Sequence, residues 1–175
     1  IEMTRKLDDD ASIERLTSSD IEEKLSYVSE TLKNLRQELG ETQALLGFCG
    51  SPWTLACYMI EGGSADGFPK ALAWAEKHPK SFDRLLEKIT QALIDYLTMQ
   101  ARCGVDALQI FDSWHNLCPP ERIWDLSLKW IARLIEQVPQ NLPLIIYANA
   151  PVAGLKEIVL TKPQALGIHH RANIA

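Results

Sequence analysis

The chain has 175 residues, 46% hydrophobic and 23% charged, which fits one folded domain and argues against a disordered chain. Its net charge of −5 argues against nucleic acid as a partner, since nucleic-acid-binding domains present clustered basic surface. No run of about 18 apolar residues is present, so no membrane partner is expected.

Residues 1–18 are charged and broken, with Asp8-Asp9-Asp10 inside, and read as an extended lead-in. Ser19 followed by Glu22 has the form of a capping box. Ile21, Leu25, Val28, Leu32, Leu35 and Leu39 then repeat at steps of four and three, one face of an amphipathic helix ended by Gly40. Ala44 to Cys49 is a continuous apolar run, the pattern of a strand buried on both faces. After the break at Gly50-Ser51-Pro52, Leu55 to Ile60 reads as helix ended by Gly62-Gly63.

Helical patterns follow near 69–78 and 81–103; in the second, Phe82, Leu85, Leu86, Ile89, Leu93 and Leu97 share a face. "ALQIFD" (107–112) is the next strand, and Pro119-Pro120 opens a helix running to Val138. "PLIIYA" (143–148) is a third strand, and a helix near 153–160 leads to a fourth at 165–168. Apolar strands alternating with amphipathic helices imply parallel pairing through right-handed crossovers. An α/β fold with about four parallel strands is either an open doubly wound sheet or a partial (β/α)8 TIM barrel. No GxGxxG or GxxxxGK[ST] follows a strand, which weakens the nucleotide-binding version.

In either architecture function sits at the C-terminal strand ends. There the chain offers Phe48, Gly50 and Ser51, then Phe111, Asp112, Ser113 and Trp114, then Asn149, and finally His169 and His170. Ser113 can bond a ligand or cap a turn, and no GxSxG elbow surrounds it as a nucleophile. Asp112 could act as an acid or base, or cap the backbone of its loop. Cys49, Cys57, Cys103 and Cys118 lack CxxC spacing and read as buried free thiols of a reducing, cytoplasmic compartment. His115, Cys118, His169 and His170 match no common metal spacing, so no metal is expected. Trp53 and Tyr58 could pack in a core or present a ring and a hydroxyl to a ligand.

One motif adds more. "GFCGSPWTLACYMIEGG" (47–63) closely resembles the G-F-x-G-x-P-W-T-L-x-x-Y-M-x-E-G-G signature of the uroporphyrinogen decarboxylase family. "YLTMQARCGVDALQIFDSWHNLCPPE" and "PLIIYA" are similar to the segments that follow it in that family. The resemblance implies a central part, residues 19–175, of a single (β/α)8 barrel whose N- and C-terminal parts lie outside this chain. It implies a cytoplasmic homodimer that removes the acetate carboxylates of uroporphyrinogen with no metal and no cofactor. Substrate-binding positions of the family fall on Tyr58, Ser113, Phe48 and Phe111. The family's R-Q-A-G-R arginines, pyrrole-binding aspartate and C-terminal histidine have no counterpart here, so no catalytic residue is carried over, and the chain by itself is expected to be inactive. The sequence also departs at Gly167-Ile168-His169-His170, where the family reads Gly-Leu-Asp-Trp, and at Asn149, near a family lysine. A corrinoid-linked methyltransferase of the same superfamily is the competing enzyme, but its His-x-Cys zinc pair is not found here. A non-catalytic porphyrin-binding or assembly module is the other alternative.

Overall fold

The apolar runs form parallel strands β1 (Leu46–Gly50), β2 (Ala107–Asp112), β3 (Leu144–Ala148) and β4 (Ala165–Gly167) in a computed structural model that describes residues 7–150 and 152–169. Their spatial order is their chain order, β1-β2-β3-β4. A doubly wound sheet reverses its strand order at a switch point. This one does not, and is part of a (β/α)8 barrel.

The helices, in chain order, are α1 (Asp10–Glu14), α2 (Ile21–Lys24), α3 (Ser26–Leu39), α4 (Pro52–Glu61), α5 (Pro69–Lys77), α6 (Pro79–Arg102), α7 (Lys129–Gln137) and α8 (Val152–Val159). Helix α6 is the spine: the predicted face from Phe82 to Leu97 is buried, with Phe82, Leu85, Leu86 and Leu97 fully enclosed. On the sheet, burial alternates with the period of two that a strand imposes. Gly47, Cys49 and Ser51, then Leu108, Ile110 and Asp112, then Leu144, Ile146 and Ala148 are buried. Their neighbours Leu46, Phe48, Gln109, Phe111, Ile145 and Tyr147 lie on a second face that is half-buried or exposed. The expectation that β1 is buried on both faces is met on one face only within residues 1–175: Leu46 is 43% and Phe48 59% exposed on what is the inner face of the partial barrel, whereas Cys49 is 4% exposed.

Three further expectations change. The lead-in is not extended throughout. Asp9 caps α1, accepting the Ser12 amide at 2.6 Å, and Ile13 is buried. Lys88 of α6 donates to the carbonyls of Ile13, Glu14 and Leu16, satisfying acceptors that a helix end leaves open. The Ser19–Glu22 capping box does not form; Glu22 instead meets Arg102 at 2.6 Å, and the helix is broken at Leu25 into α2 and α3. The helix expected from Pro119 to Val138 is a 3₁₀ turn (Pro120–Arg122), a π turn (Trp124–Leu128) and then α7. Its inward residues Leu128, Ile131, Leu134, Ile135 and Val138 are all buried as the spacing predicts.

Candidate active site

Most of the 47–63 motif builds a corner. Gly47 faces α6, where an added Cβ would stand 2.8 Å from Gln100 Oε1. The space left by the glycine admits the Gln100 amide, which accepts from Phe48 N at 2.9 Å and donates to Phe48 O at 3.0 Å. Ser51 caps α4, accepting the Thr54 amide at 3.1 Å, and Pro52 occupies the first turn, where its missing N–H costs nothing. Trp53 is fully buried against Phe82 and donates its indole N–H to Trp114 O at 3.0 Å. Glu61 reaches forward to the start of α5, accepting Lys70 N at 2.6 Å. Gly62, in the left-handed region at φ 81°, ends α4.

Two aromatics of the motif are left over from this construction. Phe48 stands on the open face, edge-on to Phe111 with centroids 5.9 Å apart. Tyr147 continues the row, 5.8 Å from Phe111. Sequence reasoning missed Tyr147. Its signal was the strand alternation that puts it beside Phe111 in register. Gly167 of β4 supports this ring, since a Cβ there would be 3.2 Å from Tyr147 Cβ and Cδ2. Tyr58 is half-buried in a second aromatic group, edge-on to Phe68 at 5.5 Å and to Trp114 at 6.1 Å. Ser113 immediately precedes Trp114 and is half-buried at the end of β2, without a side-chain hydrogen bond among the described residues. The structure thus brings Phe48 to Phe111 directly, and Tyr58 to the Ser113 segment through Trp114.

Asp112 points the opposite way. It is fully buried on the helix face. Its Oδ1 accepts from Ser51 Oγ at 2.6 Å and Thr54 Oγ1 at 3.3 Å, and its Oδ2 from Ser127 Oγ at 2.6 Å and His115 Nδ1 at 2.9 Å. The backbone-capping reading is corrected: this carboxyl binds side chains from separate segments. His115 is 1% exposed and its Nε2 has no partner among the described residues. Nearby, burial and the Asp112 charge push the Cys118 thiol up to about 12, and the same causes raise Cys57. These are packed thiols, not nucleophiles. Among the described residues, no group of three or more His, Cys, Asp or Glu is placed to hold a metal.

Of the departures, Asn149 is half-buried beyond β3 and donates to Asn116 Oδ1 at 3.3 Å. His169 is half-buried after β4, and His170 lies outside the described residues. No helix among the described residues is long and apolar enough to cross a membrane.

The model of the family "Uroporphyrinogen decarboxylase (URO-D)" matches residues 2–175. A uroporphyrinogen decarboxylase of Christiangramia forsetii is 35% identical over 162 residues, covering 93% of this chain and 48% of that protein. One of Xylella fastidiosa is 34% identical over 165 residues, covering 91% of this chain and 47% of that protein. The chain therefore spans about half the length of the curated relatives it matches. A solved methyltransferase from Methanosarcina mazei superposes with a TM-score of 0.79 at 18% identity, over 95% of this chain and 48% of that one, a likeness of fold.

Proposed function

The chain belongs to the uroporphyrinogen decarboxylase family, and from that premise we propose that the complete protein carrying it converts uroporphyrinogen III to coproporphyrinogen III in haem and tetrapyrrole synthesis. The observation that carries the reading is the family match across residues 2–175, which includes the 47–63 motif. The geometry supports it. Phe48, Phe111 and Tyr147 form a continuous aromatic wall on the open sheet face, suited to a large flat macrocycle. Ser113 stands at the C-terminal end of β2, where a barrel places its chemistry, and Tyr58 of α4 packs its ring on the neighbouring Trp114.

In the proposed reaction the pyrrole is protonated, the bond from the acetate methylene to its carboxylate breaks, and carbon dioxide leaves. The electron pair moves into the protonated pyrrole, protonation of the methylene carbon gives the methyl group, and loss of the proton first added to the ring restores the pyrrole, so that one proton is taken up for each carbon dioxide released. No metal or cofactor is invoked; binding and orientation fall to the protein. Phe48, Phe111 and Tyr147 would face the ring, and Tyr58 and Ser113 would bond its substituents.

The strand residues of the open face, from Leu46 and Phe48 across to Ile145 and Tyr147, include no Lys or Arg. Anionic substituents are held best by charge-assisted bonds. We therefore propose that residues 1–175 alone do not turn over the substrate, and that cations come from segments outside them. The complete protein is proposed to be a cytoplasmic homodimer. The methyltransferase likeness, at 18% identity, extends to the fold and adds no second reading.

The test is anaerobic incubation of the complete protein with uroporphyrinogen III, followed by chromatography of the oxidised products. Loss of the acetate carboxylates to give coproporphyrin is expected. Recovery of unchanged uroporphyrin would reject the reading.

A further inference from the structure

We propose that Asp112 is a positioning residue for this site, holding the segment that bears Ser113 and Trp114 against the corner that leads into Tyr58. The argument begins with its partners. Ser51 and Thr54 belong to the β1–α4 corner, His115 to the segment after β2, and Ser127 to the π turn before α7. A buried carboxylate with two oxygens tolerates burial only when those oxygens are satisfied. Here each oxygen takes two donors, and the donors come from three separate parts of the chain.

The same corner is tied to the β2 exit by three further bonds. Ser51 N donates to Phe111 O at 2.8 Å, Trp53 Nε1 to Trp114 O at 3.0 Å, and Trp114 N to Thr54 Oγ1 at 3.4 Å. Thr54 is therefore shared between Asp112 and the Trp114 backbone. Loosening Asp112 loosens Trp114, and Trp114 is the ring on which Tyr58 packs. The π turn is a second sign of purpose. Such wide turns are uncommon and concentrate at functional sites, and this one delivers Ser127 Oγ to Asp112 at 2.6 Å. Asp112 itself is on the helix-covered face and does not touch the wall formed by Phe48 and Phe111. It acts through Thr54 and Trp114.

The activity part of this proposal rests on the decarboxylase reading, so the test has two readouts. In the complete protein, Asp112→Asn is expected to speed amide exchange at Ser51, Thr54 and Trp114 by at least about tenfold, with Ile146 on β3 unchanged. With uroporphyrinogen, kcat falls by at least about tenfold while KM stays within about threefold, and partly decarboxylated products accumulate, as small misplacements of contact groups produce. Ile158→Ala, a core change in α8 between β3 and β4, controls for loss of stability alone and retains the wild-type product pattern. Wild-type exchange, or faster exchange with wild-type kcat and products, overturns the proposal, as does an equal product shift in Ile158→Ala. Should Asp112→Asn fail to fold, Ser127→Ala and Thr54→Val are expected to shift both readouts in the same direction, and wild-type behaviour in both overturns it. If the wild-type protein does not decarboxylate uroporphyrinogen, the functional reading falls, and amide exchange alone decides whether Asp112 holds the corner.

Discussion

The two faces of the one sheet share strands and differ in almost everything else. On the helix-covered face, Cys49, Leu108, Ile110, Asp112 and Ile146 are 0–4% exposed, and even the carboxyl among them is fully bonded. On the other, Phe48 is 59% exposed in spite of being a large apolar ring. A sheet face covered by helices contributes burial, whereas the other face, the inner face of a barrel in a chain that spans about half the length of its relatives, is open within residues 1–175 and carries the proposed wall. Adjacent residues therefore do different work: moving one position along β1 crosses from stability to the proposed binding wall.

The largest break in that comparison is on the covered side. Trp53→Ala removes a fully buried ring and the bond to Trp114 O, and the expected loss is about 3–5 kcal/mol in denaturant unfolding of the complete protein. Gly47→Ala should cost about 1–3 kcal/mol, because its Cβ would meet Gln100 Oε1 at 2.8 Å and displace the amide from Phe48. Free stability there would mean that Gln100 moves aside without loss. The thiols sharpen the contrast kinetically. Burial raises Cys49, and burial with the Asp112 charge raises Cys57 and Cys118, so alkylation at pH 8 should label none of the three until the protein unfolds. Rapid labelling of Cys49 in the folded protein would mean that its face opens. The smallest stability effect belongs to Tyr58→Phe. Its hydroxyl has no partner among the described residues, so unfolding should change by under about 0.5 kcal/mol. Turnover or the distribution of decarboxylated products should change nonetheless, and unchanged kinetics at every step would return Tyr58 to a packing role.

Strands and the long helix were legible because their signals are local. "ALQIFD" and "PLIIYA" are apolar runs with turn residues beside them, and the Phe82–Leu97 spacing shows the α6 face directly. The open face was hidden because a continuous apolar run looks the same whether one side or both are covered; only the packing of α6 distinguishes Phe48 from Cys49. The helix cap was misread for a related reason: Glu22 satisfies the capping spacing, but Arg102, distant in sequence, takes it. Asp112 was the hardest. It is bonded to Ser51 and Thr54 from 61 and 58 residues away, and to Ser127 on a turn whose width no sequence pattern announces. The family motif names Tyr58, Ser113, Phe48 and Phe111 as candidates, while the corner built by its remaining residues emerged only in three dimensions.

Neighbouring residues of β1 give the most direct test of a working face and a supporting face. In the complete protein, kcat/KM for uroporphyrinogen is compared between Phe48→Ala and Cys49→Ala. Phe48→Ala is expected to lose at least about tenfold in kcat/KM, and Cys49→Ala to lose stability and keep kcat/KM. Equal kcat/KM in the two variants, or a loss confined to Cys49→Ala, would contradict the account.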